Sequence, residues 1–364
     1  MKRARTGASV GRTAVEISGV YRLLVVTAAA VASGSAAADP IADFYRDKQM
    51  QVIVRSSPGG SYDLYSRLVT NAMLKYIPGH PTAVMRYMTG GAGIQAVNFM
   101  ENQAPKDGTV ITIVSNGLPA DQALGLAPGM KADMGALNWI GNITSSNEVM
   151  VAWHTASVKT FAEAKLRPLI IGAAAASSVG TKFGAVANNL LGAKFKIIYG
   201  YPGASDLNLA MERGETEGRS SGLWATVKAT TPQWITEKKI NVLVQIGLKR
   251  DPDLPEVPLL IELAENAQQR QILEFITKGA IVGRPFALSS GVPKERVDAL
   301  RTAFDKAVVD PDFLAEAARM KAEISPINGQ ELQQLISDVV SAPADVLAAA
   351  KKAMELRPLD VQSK

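Results

Sequence analysis

Apolar residues in this chain come in short β-branched runs, each followed by a small polar loop and then by helical spacing. Gln51-Val52-Ile53-Val54 predicts a strand, Ser56-Ser57-Pro58-Gly59-Gly60 a tight loop, and Leu64, Leu68, Val69 and Met73 one face of a helix that starts at Ser61. Residues 82–88 and 107–117 predict two more strands with a loop and helix between them, and residues 137–143 and 148–154 add two short ones. Residues 166–192 and 194–215 each repeat the strand, loop and helix unit, and 240–248 predicts a further strand. From Val292 onward the spacing is helical and amphipathic, broken by Pro311, Pro326 and Pro343; its Ala/Leu/Val stripes suit core faces. Such alternation argues for α/β architecture with mostly parallel sheets. Near 141–155 and 240–258 a strand gives way to a polar, proline-containing connector, so two chain crossings are expected there. Residues 39–150 plus 250–364 would then form lobe 1 and residues 151–249 lobe 2. Ligands in such folds bind beyond the C-terminal strand ends.

Length and charge refine this picture. The 364 residues suit two domains. Of the net charge of +5, residues 1–38 carry +4, from Lys2, Arg3, Arg5, Arg12 and Arg22 against Glu16, which leaves +1 for the rest. No Lys/Arg stripe stands out beyond Lys238-Lys239 and Lys351-Lys352, so no nucleic acid is expected. The basic segment precedes the apolar run Leu23–Ala32, and Ala36 and Ala38 provide a small-residue cleavage pattern. Residues 1–38 are therefore expected to be a cleavable signal peptide; an uncleaved anchor or a misassigned start is the alternative. The run is too short to span a bilayer. The absence of cysteine excludes disulfides, thiol catalysis, thiolate metal sites and a lipidated cysteine anchor. A periplasmic monomer is the expected product.

Five loops are unusually small and polar: 56–61, 89–93, 115–117, 174–181 and 199–205. Each precedes a predicted helix, whose first N–H groups are unpaired and lie at the positive end of the helix dipole. Several such ends converging would hold an anion without any Lys or Arg. Candidate ligand-binding residues in these loops are Ser57, Pro58, Gly59, Gly60, Ser115 and Asn116. Any one loop is equally an ordinary tight turn. Asp63 either favours the helix dipole or accepts a hydrogen bond from a ligand. Arg219 either grips a carboxylate or pairs with Glu215 or Glu217. Glu212, Glu215 and Glu217 read as a solvated turn. Gly91-Ala92-Gly93 opens a G-x-G-x-x-A pattern, but the next strand ends in Ser115-Asn116, with no acid for a ribose. Residues 218–222 match G-x-S-x-G, yet both histidines, His80 and His154, precede it, against the hydrolase order. No metal, no cofactor and no catalysis are expected.

The order of motifs resembles the extracytoplasmic solute receptors of the tripartite tricarboxylate transporter system, the Bordetella uptake gene receptors. Pro58-Gly59-Gly60-Ser61-Tyr62-Asp63-Leu64-Tyr65-Ser66-Arg67 is similar to P-x-G-G-x-x-D-x-x-A-R. Gly90-Gly91-Ala92-Gly93 is similar to P-G-A-G-G, with Thr89 ahead and no proline. Pro105 to Val110 resembles P-D-G-Y-T-L, Tyr201-Pro202-Gly203 the Y-x-G segment, and Leu254 to Leu260 L-P-D-V-P-T-L. The resemblance covers residues 40–340. It implies a type II periplasmic binding protein fold with a small carboxylate in the interlobe cleft, delivered to membrane subunits. It implies that Pro58, Gly59, Gly60 and Asp63 line a carboxylate site, that Gly91, Ala92 and Gly93 face them, and that Ser178, Thr181 and Tyr201 contribute from the other lobe. A receptor serving a signalling partner and an exported α/β enzyme are the alternative functions.

Overall fold

The computed structural model describes residues 39–361 apart from Ser177 and Pro202, so the expected signal peptide lies outside the described residues. The strands are β1 (Gln49–Val54), β2 (Thr82–Tyr87), β3 (Val110–Ile113), β4 (Asn138–Asn142), β5 (Glu148–Trp153), β6 (Leu169–Ala173), β7 (Phe195–Tyr199), β8 (Gly218–Arg219), β9 (Ile240–Ile246), β10 (Pro285–Leu288) and β11 (Ile327–Asn328). They form two sheets, ordered β11-β4-β10-β3-β1-β2 and β7-β6-β8-β5-β9. β1 runs parallel to β2 and β3, and β6 parallel to β7 and β8. The other pairings are antiparallel, so each sheet is mixed, with a parallel core.

β1 shows why the apolar run folds this way. Met50, Val52 and Val54 point into a core with Leu68, Val69 and Met73 of the helix Ser61–Leu74. Ile53 points the opposite way, against Ala96, Val97 and Met100 of the helix Ile94–Asn102. A strand covered on both faces is apolar almost throughout. Ile53 is fully buried, and its replacement by Ala would cost roughly 2–5 kcal/mol. The second sheet repeats the design. Met150 and Ala152 of β5 meet Phe183, Val186 and Ala187 of the helix Val179–Leu191, whereas Val149, Val151 and Trp153 meet Met211, Trp224 and Trp234.

The sheets divide the chain somewhat differently from the expected 150 and 250 boundaries. β5 belongs to the second sheet from Glu148, because the crossing occupies residues 143–147. After β9 the chain does not return at once. Ile272, Leu273 and Phe275 of the helix Ala267–Ile281, and Val346, Ala350 and Ala353 of the helix Ala344–Ala353, pack into the core of the second sheet. Asn189 donates to the carbonyls of Ala353 and Glu355 (3.0 and 2.8 Å), so the C-terminal segment braces that lobe.

The crossings are bound together. Buried Gln245 accepts from the Asn147 side chain (3.0 Å) and donates to Leu254 O and Val257 O (2.8 and 2.9 Å). On the return path Gly283 N donates to Thr144 O (3.1 Å). A Cβ on Gly283 would stand 2.4 Å from that same carbonyl, a distance only glycine permits.

Candidate functional site

Three expected loops lie at the C-terminal end of the parallel strands of the first sheet. The first leaves β1 at Arg55 and enters the helix Ser61–Leu74 through Gly60, which offers no side-chain cap to the helix N–H groups. Ser57, Pro58, Gly59 and Gly60 are all exposed. Gly59 has φ +83°, in the region that favours glycine, and its N–H donates to Asp63 Oδ2 at 2.8 Å. Asp63 Oδ1 accepts from Tyr87 OH (2.7 Å) and Arg67 Nε (2.9 Å). Both carboxylate oxygens therefore hold the loop and its neighbours. Burial pushes the Asp63 pKa up, but the bonds from Gly59, Tyr87 and Arg67 outweigh it and leave the pKa below its ordinary value.

In the second loop Gly91 and Ala92 both take left-handed conformations (φ 58° and 53°) and Gly93 has φ +105°. For Ala92 this costs of order 1 kcal/mol. The turn delivers Gly93 as the N-cap of the helix Ile94–Asn102, again without a side-chain cap. Gly93 packs against the third loop: a Cβ there would meet Ser115 Cβ at 3.2 Å. Ser115 is buried, and Asn116 is tied to the first loop by Tyr62, whose hydroxyl donates to Asn116 Oδ1 (3.1 Å) and accepts from Asn116 N (3.3 Å). The three loops thus form one connected surface.

That surface is not free of cations, contrary to the sequence expectation. The Arg55 side chain passes beside Gly93, whose Cβ position is 3.3 Å from Arg55 Cδ, and its guanidinium lies 4.3 Å from the Tyr62 ring centroid. Among the described residues Arg55 makes no hydrogen bond or ion pair, and its Nε is buried without an acceptor. Arg284, immediately before β10, also lies 4.3 Å from the Tyr62 centroid. It donates to Gly283 O (2.8 Å) and Ser61 Oγ (3.0 Å), and its Nε too is buried without an acceptor. Arg55 had a sequence signal, as the first polar residue after the strand run. Arg284 has little, since Pro285–Leu288 is only four residues long and opens with a proline.

In the second lobe the expected residues serve mainly their own loops. The Ser178 hydroxyl caps the helix Val179–Leu191 by accepting from Thr181 N (3.4 Å), and the Thr181 hydroxyl donates to Ala175 O (2.6 Å). Tyr201 is buried with Ile198, Leu207 and Ala210 beside the helix Ala204–Glu212. Arg219 ends β8, 4 % exposed, and donates to Asn208 Oδ1 (2.7 Å) rather than to Glu215 or Glu217. Burial pulls its pKa below the ordinary arginine value, while the Glu148 charge opposes that shift. Glu212 and Glu215 are exposed, as expected of a solvated turn, while Glu217 accepts from Ile170 N (2.9 Å) and Glu212 from Trp234 Nε1 (2.9 Å), so two of these acids also tie the lobe together. The G-x-S-x-G serine, Ser220, donates its hydroxyl to Gly180 O.

No protein-family model matches the chain. No curated protein matches it either. Solved structures do. A TctC solute binding protein from Polaromonas, solved without ligand, superposes with a TM-score of 0.66 at 20% identity, over 85% of this chain and 99% of that one. The periplasmic binding protein BugD gives 0.54 at 20% identity, over 87% and 100%. MatC from Rhodopseudomonas palustris, with bound malate, gives 0.54 at 20% identity, over 82% and 99%. At this identity the likeness establishes the fold, which is that of the two-lobed periplasmic binding proteins.

Proposed function

We propose that the chain is a periplasmic receptor that captures a small carboxylate on the loops at the first sheet's strand ends. It delivers that ligand to the membrane subunits of a tripartite tricarboxylate-type transporter, without catalysis. The observation that carries this reading is Arg55, a part-buried guanidinium with no protein acceptor, set beside Gly93 and Ser115. A planar fork of donors next to uncapped helix N-termini matches a carboxylate. Gly60, Gly91, Ala92 and Gly93 supply backbone N–H groups, Gly59 shapes the first loop through its bond to Asp63, and Ser57, Ser115 and Asn116 add short polar groups. The bound malate in MatC, a protein of the same fold, supports the ligand class.

The test is a thermal-shift screen of the purified protein against mono-, di- and tricarboxylates, amino acids, neutral sugars and nucleotides. A micromolar ligand at millimolar concentration adds about 4 kcal/mol, which is roughly 6 °C for a chain of this length. Shifts confined to acids are expected; shifts only with sugars or nucleotides would overturn the reading.

A further inference from the structure

We propose that Arg284 is the specificity-determining residue of this pocket: with Arg55 across the Tyr62 ring, it selects ligands that carry two anionic groups over those that carry one. This rests on the receptor reading above. Both guanidiniums stand 4.3 Å from one ring centroid, so their centres are no more than twice that distance apart. The ring is fixed by its hydroxyl bonds to Asn116. Neither arginine has a carboxylate partner among the described residues, and each keeps a buried Nε without an acceptor.

The acids nearby are committed elsewhere. Asp63 is held by Gly59, Tyr87 and Arg67. Glu323 uses its carbonyl to accept from Tyr65 OH (3.2 Å), and its carboxyl faces Ser146; burial pushes its pKa up, which weakens it as a counter-charge. Two like charges on one aromatic ring repel, and an anion from outside the chain would relieve that repulsion.

The two arginines differ in position. Arg55 lies against Gly93, so it belongs with the loop N–H groups that receive a first carboxylate. Arg284 precedes β10 and is bound to Ser61 and, through its backbone N, to Asn142 Oδ1 (2.8 Å) at the first crossing. A monoanion held at Arg55 leaves Arg284 uncompensated. A second anionic group completes it.

The experiment is calorimetric titration of the whole protein with acetate, butyrate, malonate, succinate, malate, glutarate and adipate, on wild type and on Arg284→Gln and Arg55→Gln. Arg284→Gln is expected to weaken the best dianion about 10- to 100-fold, the range of a lost charge-assisted pair, and to change monoanion affinity less than threefold. Arg55→Gln is expected to weaken both classes. Equal losses for both classes in Arg284→Gln, or no loss, overturn the proposal while leaving the receptor reading intact. Failure of every acid to bind wild type overturns both. Should Arg284→Gln not fold, ionic strength applies the same test to wild type. Dianion affinity must fall with salt at about twice the slope of monoanion affinity, and equal slopes overturn the proposal.

Discussion

Asp63→Asn is the perturbation whose effect can be worked out most fully. The carboxylate is 8 % exposed and accepts from Gly59 N–H and Tyr87 OH at 2.8 and 2.7 Å, and from Arg67 Nε at 2.9 Å. An amide keeps one acceptor oxygen, so either Gly59 N–H or Arg67 Nε–H is left facing an NH2 group. Hydrogen bonds to a charged group contribute about 1.5–3 kcal/mol each. The Arg67 side chain is 53 % exposed, so its ion pair adds at most about 0.5–1 kcal/mol after solvent screening. The expected loss is about 2 kcal/mol, or roughly 3 °C in Tm.

The pH dependence adds a second check. The folded pKa of Asp63 lies below its ordinary 3.8, so its stabilisation is fully present above that value and is lost as pH falls through the folded pKa. The stability gap between wild type and variant, measured by urea denaturation, should be widest at neutral pH and close on acidification below about 4. Because both oxygens of Asp63 are taken by Gly59, Tyr87 and Arg67, carboxylate affinity should fall less than tenfold. A stability loss under about 0.5 kcal/mol together with a hundredfold affinity loss would refute this reasoning and make Asp63 a direct ligand group.

Other substitutions separate fold from site. Gly60→Val should abolish carboxylate binding in the thermal-shift screen yet cost only about 1 kcal/mol, since a Cβ there stands 3.5 Å from Ser56 Oγ in ordinary contact and the loss is one of N-cap preference. Unchanged affinity would remove the glycine loop from the site. Gly283→Ala should destabilise by more than about 2 kcal/mol in denaturant titration, because its Cβ falls 2.4 Å from Thr144 O; a neutral effect would mean the crossing is looser than its contacts indicate. Arg219→Met should lower Tm, since it leaves the Glu148 carboxyl without its neighbouring cation and Asn208 Oδ1 without its donor, and should alter carboxylate affinity less than threefold. A tenfold affinity loss would place Arg219 in the pocket.

What was legible in the sequence, and what was not, follows from how local each signal is. The run Val52-Ile53-Val54 and the spacing of Leu68, Val69 and Met73 are fixed by burial on two faces, so a window of a dozen residues suffices to read them. The loops after β1 and β3 were legible for the same reason, as glycines and short polar residues between periodic segments. The role of Asp63 was not, because its partners Gly59, Arg67 and Tyr87 come from loop, helix and neighbouring strand together. Arg284 is the extreme case. β10 enters antiparallel to β3, with Phe286 opposite Ile113, and this pairing alone carries a residue from far along the chain to the Tyr62 ring. Antiparallel entry also explains why the cation stands before its strand, whereas Arg55 stands after β1. Both positions map to the same sheet edge. The residues that follow strands therefore include the glycine loops and Arg55 but not Arg284, the second charge beside the Tyr62 ring.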